Sequence, residues 1–423
     1  NSWFGMLNYN YKERYFLDAS IRRDGSSLFA KNNRWGTFGA VALMWNITNE
    51  DFMKSTKSWL NDLQLKVSYG STGNSGIDPY MYLGLVGTTP SYGTGTGTAM
   101  SNPSNPDLTW ETVKTLNIGL NGKIFDFLSF NVEFYNKVTS NMLMEIPYSY
   151  TTGFSSGWGN VGEMTNRGVD INLSADIIKT KDWYWNVTLN LNYNKNEITK
   201  LFNGLTSYDV NNATHYEVGH AFGEIYAVRW SHVDPADGQT VWLDKNGNET
   251  KIFSEENRVL TGKNIFAPWS GGLNTTLAWK GLQLDLQFTG MFDRYMTNNE
   301  RYFIENPNFA TSGFNQAVEM LDMWQKPGDV TDIAAANCQR QFDTSIIENA
   351  SFVRLKFLQL SYTLPKKWMD TTNFIKACKV FFTGRNLFTI TPYNGFDPEI
   401  DSNVAFGNYP NTRQYSFGIQ LTF

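Results

Sequence analysis

The chain ends in the stretch Tyr415-Ser416-Phe417-Gly418-Ile419-Gln420-Leu421-Thr422-Phe423. Successive side chains of a β-strand point to opposite faces, so five apolar residues share one face here: Tyr415, Phe417, Ile419, Leu421 and Phe423. Ser, Gly, Gln and Thr alternate with them. In a soluble protein such a strand would be an exposed, adhesive edge. In a transmembrane barrel the same strand would close the barrel, with its aromatic face toward lipid.

The same period-two alternation recurs along the whole chain, for example at Leu128, Phe130, Val132 and Phe134. A helix would need apolar residues at i, i+3 and i+4, which these stretches do not offer. The pattern predicts thirteen strands: 2–11, 14–23, 35–47, 62–72, 109–120, 127–139, 165–177, 182–195, 269–279, 282–292, 351–364, 378–389 and 413–423.

The length of these strands indicates the kind of sheet they form. Ten residues at about 3.3 Å each, tilted near 45°, rise about 23 Å, which is close to the apolar band of an outer-membrane barrel. Strands in soluble sandwiches average about five or six residues. We therefore predict an all-β protein that forms a transmembrane antiparallel β-barrel.

The composition agrees with this prediction. Charged residues make up 18% and the formal charge is −5, so nothing favours a nucleic-acid partner. No apolar run approaches the roughly 18 residues of a membrane helix. A strand with one apolar and one polar face has a mildly polar mean hydropathy, so the mean hydropathy of the chain does not argue against a barrel. The two cysteines, Cys338 and Cys378, imply no disulfide framework.

The connections between the predicted strands tend to alternate in length. Short ones follow strands 1, 5, 7 and 9, and long ones follow strands 4, 6, 8, 10 and 12, including 73–108, 196–268 and 293–350. Barrels of this class have short periplasmic turns and long extracellular loops. We therefore expect the odd-numbered strands to run toward the periplasm.

Thirteen is an odd number, whereas single-chain bacterial barrels have even numbers of strands. An open sheet would expose backbone groups to hydrocarbon at several kcal/mol each. Residues 1–20 also lack the basic, apolar and cleavage-site regions of a signal peptide. We expect residues 1–423 to be the C-terminal part of one larger barrel, whose plug domain and N-terminal strands are not in this chain.

Several segments resemble the SusC/RagA family of TonB-dependent transporters: RYFLDASIRRDGSS (14–27), RWGTF (34–38), WLNDLQLKVSYGSTGN (59–74), TNRGVDINLS (165–174), FVRLKFLQLSYTLP (352–365), FFTGRNLFTIT (381–391), GFDPEI (395–400) and YPNTRQYSFGIQLTF (409–423). The resemblance implies a 22-stranded barrel, of which about nine strands would lie outside this chain. It also implies an N-terminal plug, contact with TonB through that plug, and a SusD-like surface lipoprotein.

The function that this resemblance implies is import of oligosaccharides across the outer membrane, with oligopeptides as the second choice. The partners would then be the N-terminal remainder, the lipoprotein, TonB, the ligand and the membrane. A passive porin or structural barrel is the alternative within the membrane. A secreted all-β glycan-binding protein is the alternative outside it.

Aromatic and amide residues in the long loops are the candidate ligand contacts, because sugar rings have apolar C–H faces and polar rims. We single out Tyr148, Trp158, Asn160, Trp230 and Trp242, with Tyr150, Tyr216 and Tyr226 nearby in sequence. The alternative is that these side chains pack the loops together. Four polar residues share a strand face that should point into the lumen, where they would mainly hydrogen-bond along the wall and to the plug: Asn166, Asp170, Asn172 and Asp176.

No motif indicates catalysis, a cofactor or a metal. The three histidines, His215, His220 and His232, lack HxH or HxxxH spacing. Asp244 to Asn248 looks like the start of a calcium loop, but the sixth position is Glu249, where glycine is needed. Asn246-Gly247 instead predicts a hairpin turn. No P-loop signature is present, so we do not expect an enzyme.

Overall fold

The computed structural model describes residues 1–92, 95–211, 214–310, 313–369, 374–400 and 409–423. Its strands are β1 (Ser2–Tyr11), β2 (Tyr15–Gly25), β3 (Trp35–Asn46), β4 (Leu60–Asn74), β5 (Val86–Tyr92), β6 (Gly95–Met100), β7 (Glu111–Ile124), β8 (Leu128–Pro147), β9 (Ser156–Lys179), β10 (Trp183–Lys200), β11 (Ser207–Asn211), β12 (Thr214–Glu217), β13 (Glu224–Val233), β14 (Thr240–Leu243), β15 (Glu249–Thr250), β16 (Arg258–Asn264), β17 (Trp269–Trp279), β18 (Leu282–Phe292), β19 (Tyr295–Thr297), β20 (Ile347–Asn349), β21 (Phe352–Thr363), β22 (Ala377–Ile390) and β23 (Gln414–Thr422).

The helices are short. Within the described ranges three are α-helical: α1 (Asn299–Ile304), α2 (Pro307–Ala310) and α3 (Lys366–Met369). The 3₁₀ turns are Ile47–Asn49, Asp51–Thr56, Tyr150–Thr152, Phe202–Gly204, Glu255–Asn257, Val318–Asp322 and Thr344–Ile346. Among the described residues, no helix is long and apolar enough to cross a membrane.

Thirteen strands belong to one sheet, in the order β1-β2-β3-β4-β7-β8-β9-β10-β17-β18-β21-β22-β23. They are the thirteen strands that the alternation predicts, so the predicted all-β fold is confirmed. Neighbours pair antiparallel from β1 to β9 and from β17 to β23. Strands β1 and β23 stand at the two ends of this order.

The chain divides into two compact units. The first comprises residues Asn1–Ala175, Asn192–Asn211 and His215–Phe222. Its register aligns apolar residues in one row across β1–β4 and β7–β9: Tyr9, Leu17, Leu43, Val67, Ile118, Phe134 and Val169. One position along, the row on the opposite face is mostly polar or small: Asn8, Asp18, Ala42, Ser68, Asn117, Tyr135 and Gly168.

The second unit comprises Asp176–Leu191, Asn212–Thr214 and Gly223–Phe423. Its register shows the same two-sided character in β17, β18 and β21–β23. One face carries the row Leu277, Leu284, Leu360, Phe382 and Phe417, and the other carries Thr276, Asp285, Gln359, Thr383 and Ser416. Within each unit the sheet therefore has one apolar and one polar face, as strands of a membrane barrel require.

Strands β8 and β9 are longer than predicted. The alternation predicts that β8 ends at residue 139, whereas it ends at Pro147. It predicts that β9 begins at residue 165, whereas β9 begins at Ser156. Asn141 has a left-handed φ of 53°, and the register shifts on either side of Met142. This irregularity changes which residues share a face, so the alternation cannot be followed beyond it.

In the described parts of the long connections lie ten further strands, which the alternation did not predict. Four of them form the sheet β15-β14-β13-β16. In β13, Ile225, Ala227 and Val228 are all buried, so both faces are covered and no period-two pattern results. The predicted turn at Asn246-Gly247 is confirmed, since β14 pairs with β15 across it and Gly247 has φ 89°.

Candidate functional site

A polar pocket of about 730 Å³ lies on the polar face of the first unit, near the first residues of β1 and β3 and the last residues of β2 and β4. We call it the Arg22 pocket. Seven serine and threonine residues line it together with one ion pair and Trp110: Ser2, Ser20, Ser26, Ser27, Ser71, Thr72, Ser75, Arg22 and Asp24. Arg22 Nε donates to Asp24 Oδ1 at 2.6 Å, and Arg22 Nη2 donates to Ser2 Oγ at 3.4 Å.

Aromatic packing supports one wall of the Arg22 pocket. Phe38 lies against Trp110, with 5.5 Å between ring centroids, and Trp110 Nε1 donates to the Arg34 carbonyl at 3.1 Å. A Cβ atom at Gly73 would lie 2.0 Å from Phe38 Cζ. Only glycine at position 73 therefore lets the Phe38 ring lie across β4 and hold the indole in place.

Three of the predicted ligand contacts lie in the first unit, where the chain itself engages two of them. Trp158 packs against the buried cluster of Phe29, Ile77 and Leu108. The Asn160 side chain accepts from Thr109 N and donates to the Thr109 carbonyl, both at 2.8 Å. Tyr148 is partly exposed at the end of β8. The first two side chains fix the loops in this structure, and their contact with a ligand stays a prediction.

Trp230 and Trp242 lie in the second unit, opposite each other on β13 and β14. Trp242 is 7% exposed, and its Nε1 donates to the buried Asp343 carboxylate at 2.7 Å. Burial raises the pKa of Asp343, against the hydrogen bonds from Ser345 and Trp242. Trp230 is only partly buried. Trp242 therefore packs against its own chain here, whereas Trp230 keeps an accessible surface, and contact of either side chain with a ligand stays a prediction.

The other aromatic residues of the long loops differ in exposure. Tyr150 is 85% exposed on a 3₁₀ turn. Tyr216 stacks on Phe222 with 5.2 Å between centroids. Tyr226 lies in β13, opposite Leu260. Of these three, Tyr150 therefore offers the most open ring.

The four polar residues predicted to face the lumen lie in β9. In the first unit, Asp170 Oδ1 accepts from Asn192 at 2.6 Å and Asn166 Oδ1 accepts from Asn194 at 3.1 Å, while Asn172 stands opposite Asn131. In the second unit, Asp176 Oδ1 accepts from Tyr184 and Asn186 at 3.0 and 2.9 Å. Hydrogen bonds between neighbouring side chains thus run along the wall, and contact with a plug stays a prediction.

The terminal apolar residues lie in or directly after β23. Tyr415, Phe417 and Ile419 are 62%, 83% and 69% exposed, and Leu421 and Phe423 are 42% and 64% exposed. Their face continues the apolar row of the second unit, in which Phe417 is opposite Phe382. That these residues close a barrel stays a prediction.

Each of the three histidines lies near an acidic side chain, and His215 and His220 share Glu217 at 3.5 and 3.9 Å. His215 Nδ1 is 2.7 Å from Asp209 Oδ1, and His232 Nδ1 is 3.7 Å from Glu249 Oε1. In the described part of the chain, no three His, Cys, Asp or Glu side chains are arranged to hold a metal ion. Cys338 and Cys378 are both free thiols.

Two features of the second unit were not predicted. Five rings form a cluster in the connection after β18: Tyr302, Phe303, Phe309, Phe314 and Phe342. Of these, Phe303, Phe314 and Phe342 are 41–55% exposed. A buried ion network lies in the same connection, where Arg301 bridges Glu305 and Glu348 at 2.8 and 2.9 Å. The aromatic density of 302–314 was the available signal for the cluster, whereas nothing in the spacing indicates the ion network.

Comparison with known proteins gives the family. A family profile described as "TonB dependent receptor-like, beta-barrel" matches residues 1–387. The TonB-dependent receptor P26 of Formosa agariphila is 31% identical over 100% of this chain and 46% of its own length. The TonB-dependent receptor SusC of Bacteroides thetaiotaomicron is 30% identical over 100% of this chain and 43% of its length.

A solved structure agrees with these relatives. The structure of the RagAB peptide transporter contains a chain that is 39% identical, with a TM-score of 0.92, and the match covers 100% of this chain and 47% of that one. The chain therefore spans a little under half the length of the proteins it matches. It belongs to the TonB-dependent receptor-like β-barrel family of the outer membrane, within its SusC/RagA group.

Proposed function

We propose that the full-length protein imports oligosaccharides across the outer membrane by a TonB-dependent mechanism. The observation that carries the proposal is the match along the whole chain both to SusC and to a chain of the RagAB peptide transporter. Oligopeptides are the second substrate class, because RagAB, which contains a chain similar to this one, is a peptide transporter. No residue in this proposal has a catalytic role.

The polar face that the thirteen-stranded sheet has in each unit supports transport of a hydrophilic ligand. In a barrel of this family the polar face lines the lumen and the apolar face meets lipid. In the first unit the polar face carries Asp18, Ser68 and Asn117 in one row, and the Arg22 pocket lies on the same face. These groups would replace water around a sugar or a peptide in the lumen.

The remaining parts of the transporter belong to the proposal as well. We infer that the other barrel strands, the plug and the TonB-contacting segment lie outside these 423 residues. We also infer that a SusD-like lipoprotein covers the side of the barrel that carries the long connections. The exposed rings of Phe303, Phe314 and Phe342 in one of those connections suit an interface or a ligand.

Growth and oligosaccharide uptake of a gene-deletion strain test the proposal. A strain without the gene of the full-length protein is grown on single polysaccharides, and uptake of labelled oligosaccharides is measured with and without functional TonB. Loss of growth on one glycan, with TonB-dependent uptake, supports the proposal. Uptake that persists without TonB would instead favour a passive porin. Affinity purification of the full-length protein should also recover a lipoprotein.

A further inference from the structure

We propose that the Arg22 pocket is a subsite for a neutral saccharide, with Arg22 and Asp24 as the paired donor and acceptor for neighbouring sugar hydroxyls. This inference rests on the proposed function, since it requires a ligand that passes along the polar face. It adds a location and a chemical class that the family match does not provide.

The orientation of Arg22 follows from the register. Arg22 and Asp24 stand on the polar face of β2, opposite Phe4 and Ser2, whereas Arg23 between them stands on the other face, opposite Trp3. The Arg22 side chain is 61% exposed and that of Asp24 is 15% exposed. The bond of 2.6 Å between them holds a guanidinium donor beside a carboxylate acceptor. Such a pair can donate to one hydroxyl and accept from the next.

The charge balance of the pocket favours a neutral ligand. Arg22 and Asp24 are the two ionised side chains among the described residues that line it, so their charges cancel. The other polar residues that line it are six serines and one threonine, whose hydroxyls can each donate and accept a hydrogen bond. Those of Ser2, Ser26 and Ser71 already accept one from Arg22, Leu28 and Gly39. A charged ligand would find no uncompensated opposite charge here, whereas a polyol would find matching partners on several sides.

The size and the wall of the pocket also suit a sugar. Its volume of about 730 Å³ lies within the range of about 300–1,000 Å³ typical of small-ligand sites. Trp110 supplies an aromatic surface whose position is fixed by its bond to the Arg34 carbonyl and by Phe38. A fixed indole can pack against the apolar C–H face of a sugar ring without losing side-chain freedom on binding.

Calorimetric titration of the purified full-length transporter in detergent tests the subsite. The probes are maltohexaose, cellohexaose, xylohexaose, mannohexaose and the hexapeptide Gly-Ser-Gly-Ser-Gly-Ser. For a saccharide that the parent protein binds, we expect Arg22→Gln and Asp24→Asn each to weaken affinity about tenfold, because a hydrogen bond to a charged group is lost. The matched control is Arg23→Gln, on the same strand and the opposite face, which should bind like the parent.

Folding of each variant is checked by its heat-dependent migration in detergent gels. Thr72→Val is a second, milder variant, which removes one pocket hydroxyl and should weaken binding a few-fold. Equal affinity of the parent, Arg22→Gln, Asp24→Asn and Thr72→Val for the bound saccharide would overturn the subsite while leaving the proposed import intact. Binding of the hexapeptide alone, or of no probe, would overturn the saccharide assignment. Loss of TonB-dependent uptake in the gene-deletion strain tests the proposed import, independently of these affinities.

Discussion

Arg354 on β21 donates from Nη2 to Asp397 Oδ1 at 2.5 Å, and their side chains are only 4% and 3% exposed. Arg354 Nη1 also donates to Glu399 Oε2 at 2.6 Å. Both acids belong to the segment Gly395–Ile400, which follows β22. The ion pairs therefore anchor this connection to the wall strand from which Arg354 projects.

Removing Arg354 should strongly destabilise this anchor. In Arg354→Met the carboxylates of Asp397 and Glu399 lose their buried cation, and an unpaired buried charge costs about 3–5 kcal/mol. We expect a clearly lower midpoint of thermal unfolding for the full-length protein in detergent. Lys356→Met is the matched control, because Lys356 is 34% exposed and contacts the same Glu399. Its cost should stay near or below about 1 kcal/mol. Equal midpoints for Arg354→Met and the parent would contradict this account.

The same anchor should fail in acid. Burial raises the pKa of Asp397, but hydrogen bonds from Arg354 and from the Asn411 and Glu399 backbone more than offset it, so the pKa lies below its usual value. A carboxyl with a lowered folded-state pKa stabilises the fold above its unfolded pKa, near 3.8. That stability is lost as the pH falls through the folded value. We expect the thermal unfolding midpoint to decrease once the pH is below about 4. The decrease should be less steep in Asp397→Asn. Parallel pH curves for the two proteins would count against the assignment.

Gly73 should be intolerant of a side chain, because a Cβ there would lie 2.0 Å from Phe38 Cζ. We expect Gly73→Ala to cost about 1–3 kcal/mol through displacement of Phe38 and Trp110. The unfolding midpoint and the Trp110 environment, seen in near-ultraviolet circular dichroism, report the two effects. Gly5→Ala is the control, since its Cβ would meet Ile21 Cγ2 at an ordinary 3.7 Å. A Gly73→Ala protein as stable as Gly5→Ala would show that Phe38 can move aside freely.

The sheet could be predicted from the sequence because each of its strands exposes one apolar and one polar face. The row from Tyr9 to Val169 is the direct consequence of that pattern. Strand β13 could not be predicted, since Ile225, Ala227 and Val228 are buried on both sides. Side-chain spacing says nothing about the pairing of Arg354 with Asp397, which lie 43 residues apart. Such pairs depend on how the connections fold back onto the wall.

The candidate ligand contacts were the least predictable part, because residue type does not distinguish an open ring from a packed one. Tyr150 and Trp242 are both aromatic loop residues, yet one is 85% exposed and the other 7%. The Arg22 pocket was missed for the opposite reason. Its serines and its ion pair are ordinary residues in sequence, and only the pairing of β1–β4 brings them together near Trp110.

Trp242 is the residue at which packing and ligand binding can be separated most directly. Trp242→Phe keeps most of the ring against Phe253 but removes the Nε1 donor of Asp343, which leaves a buried acceptor short of one partner. We expect a loss of about 1–3 kcal/mol in the free energy of unfolding, and unchanged affinity for any bound saccharide. Trp230→Phe is the control, since Trp230 is partly exposed and a smaller loss is expected. Weaker saccharide binding by Trp242→Phe at unchanged stability would instead place Trp242 in contact with the ligand.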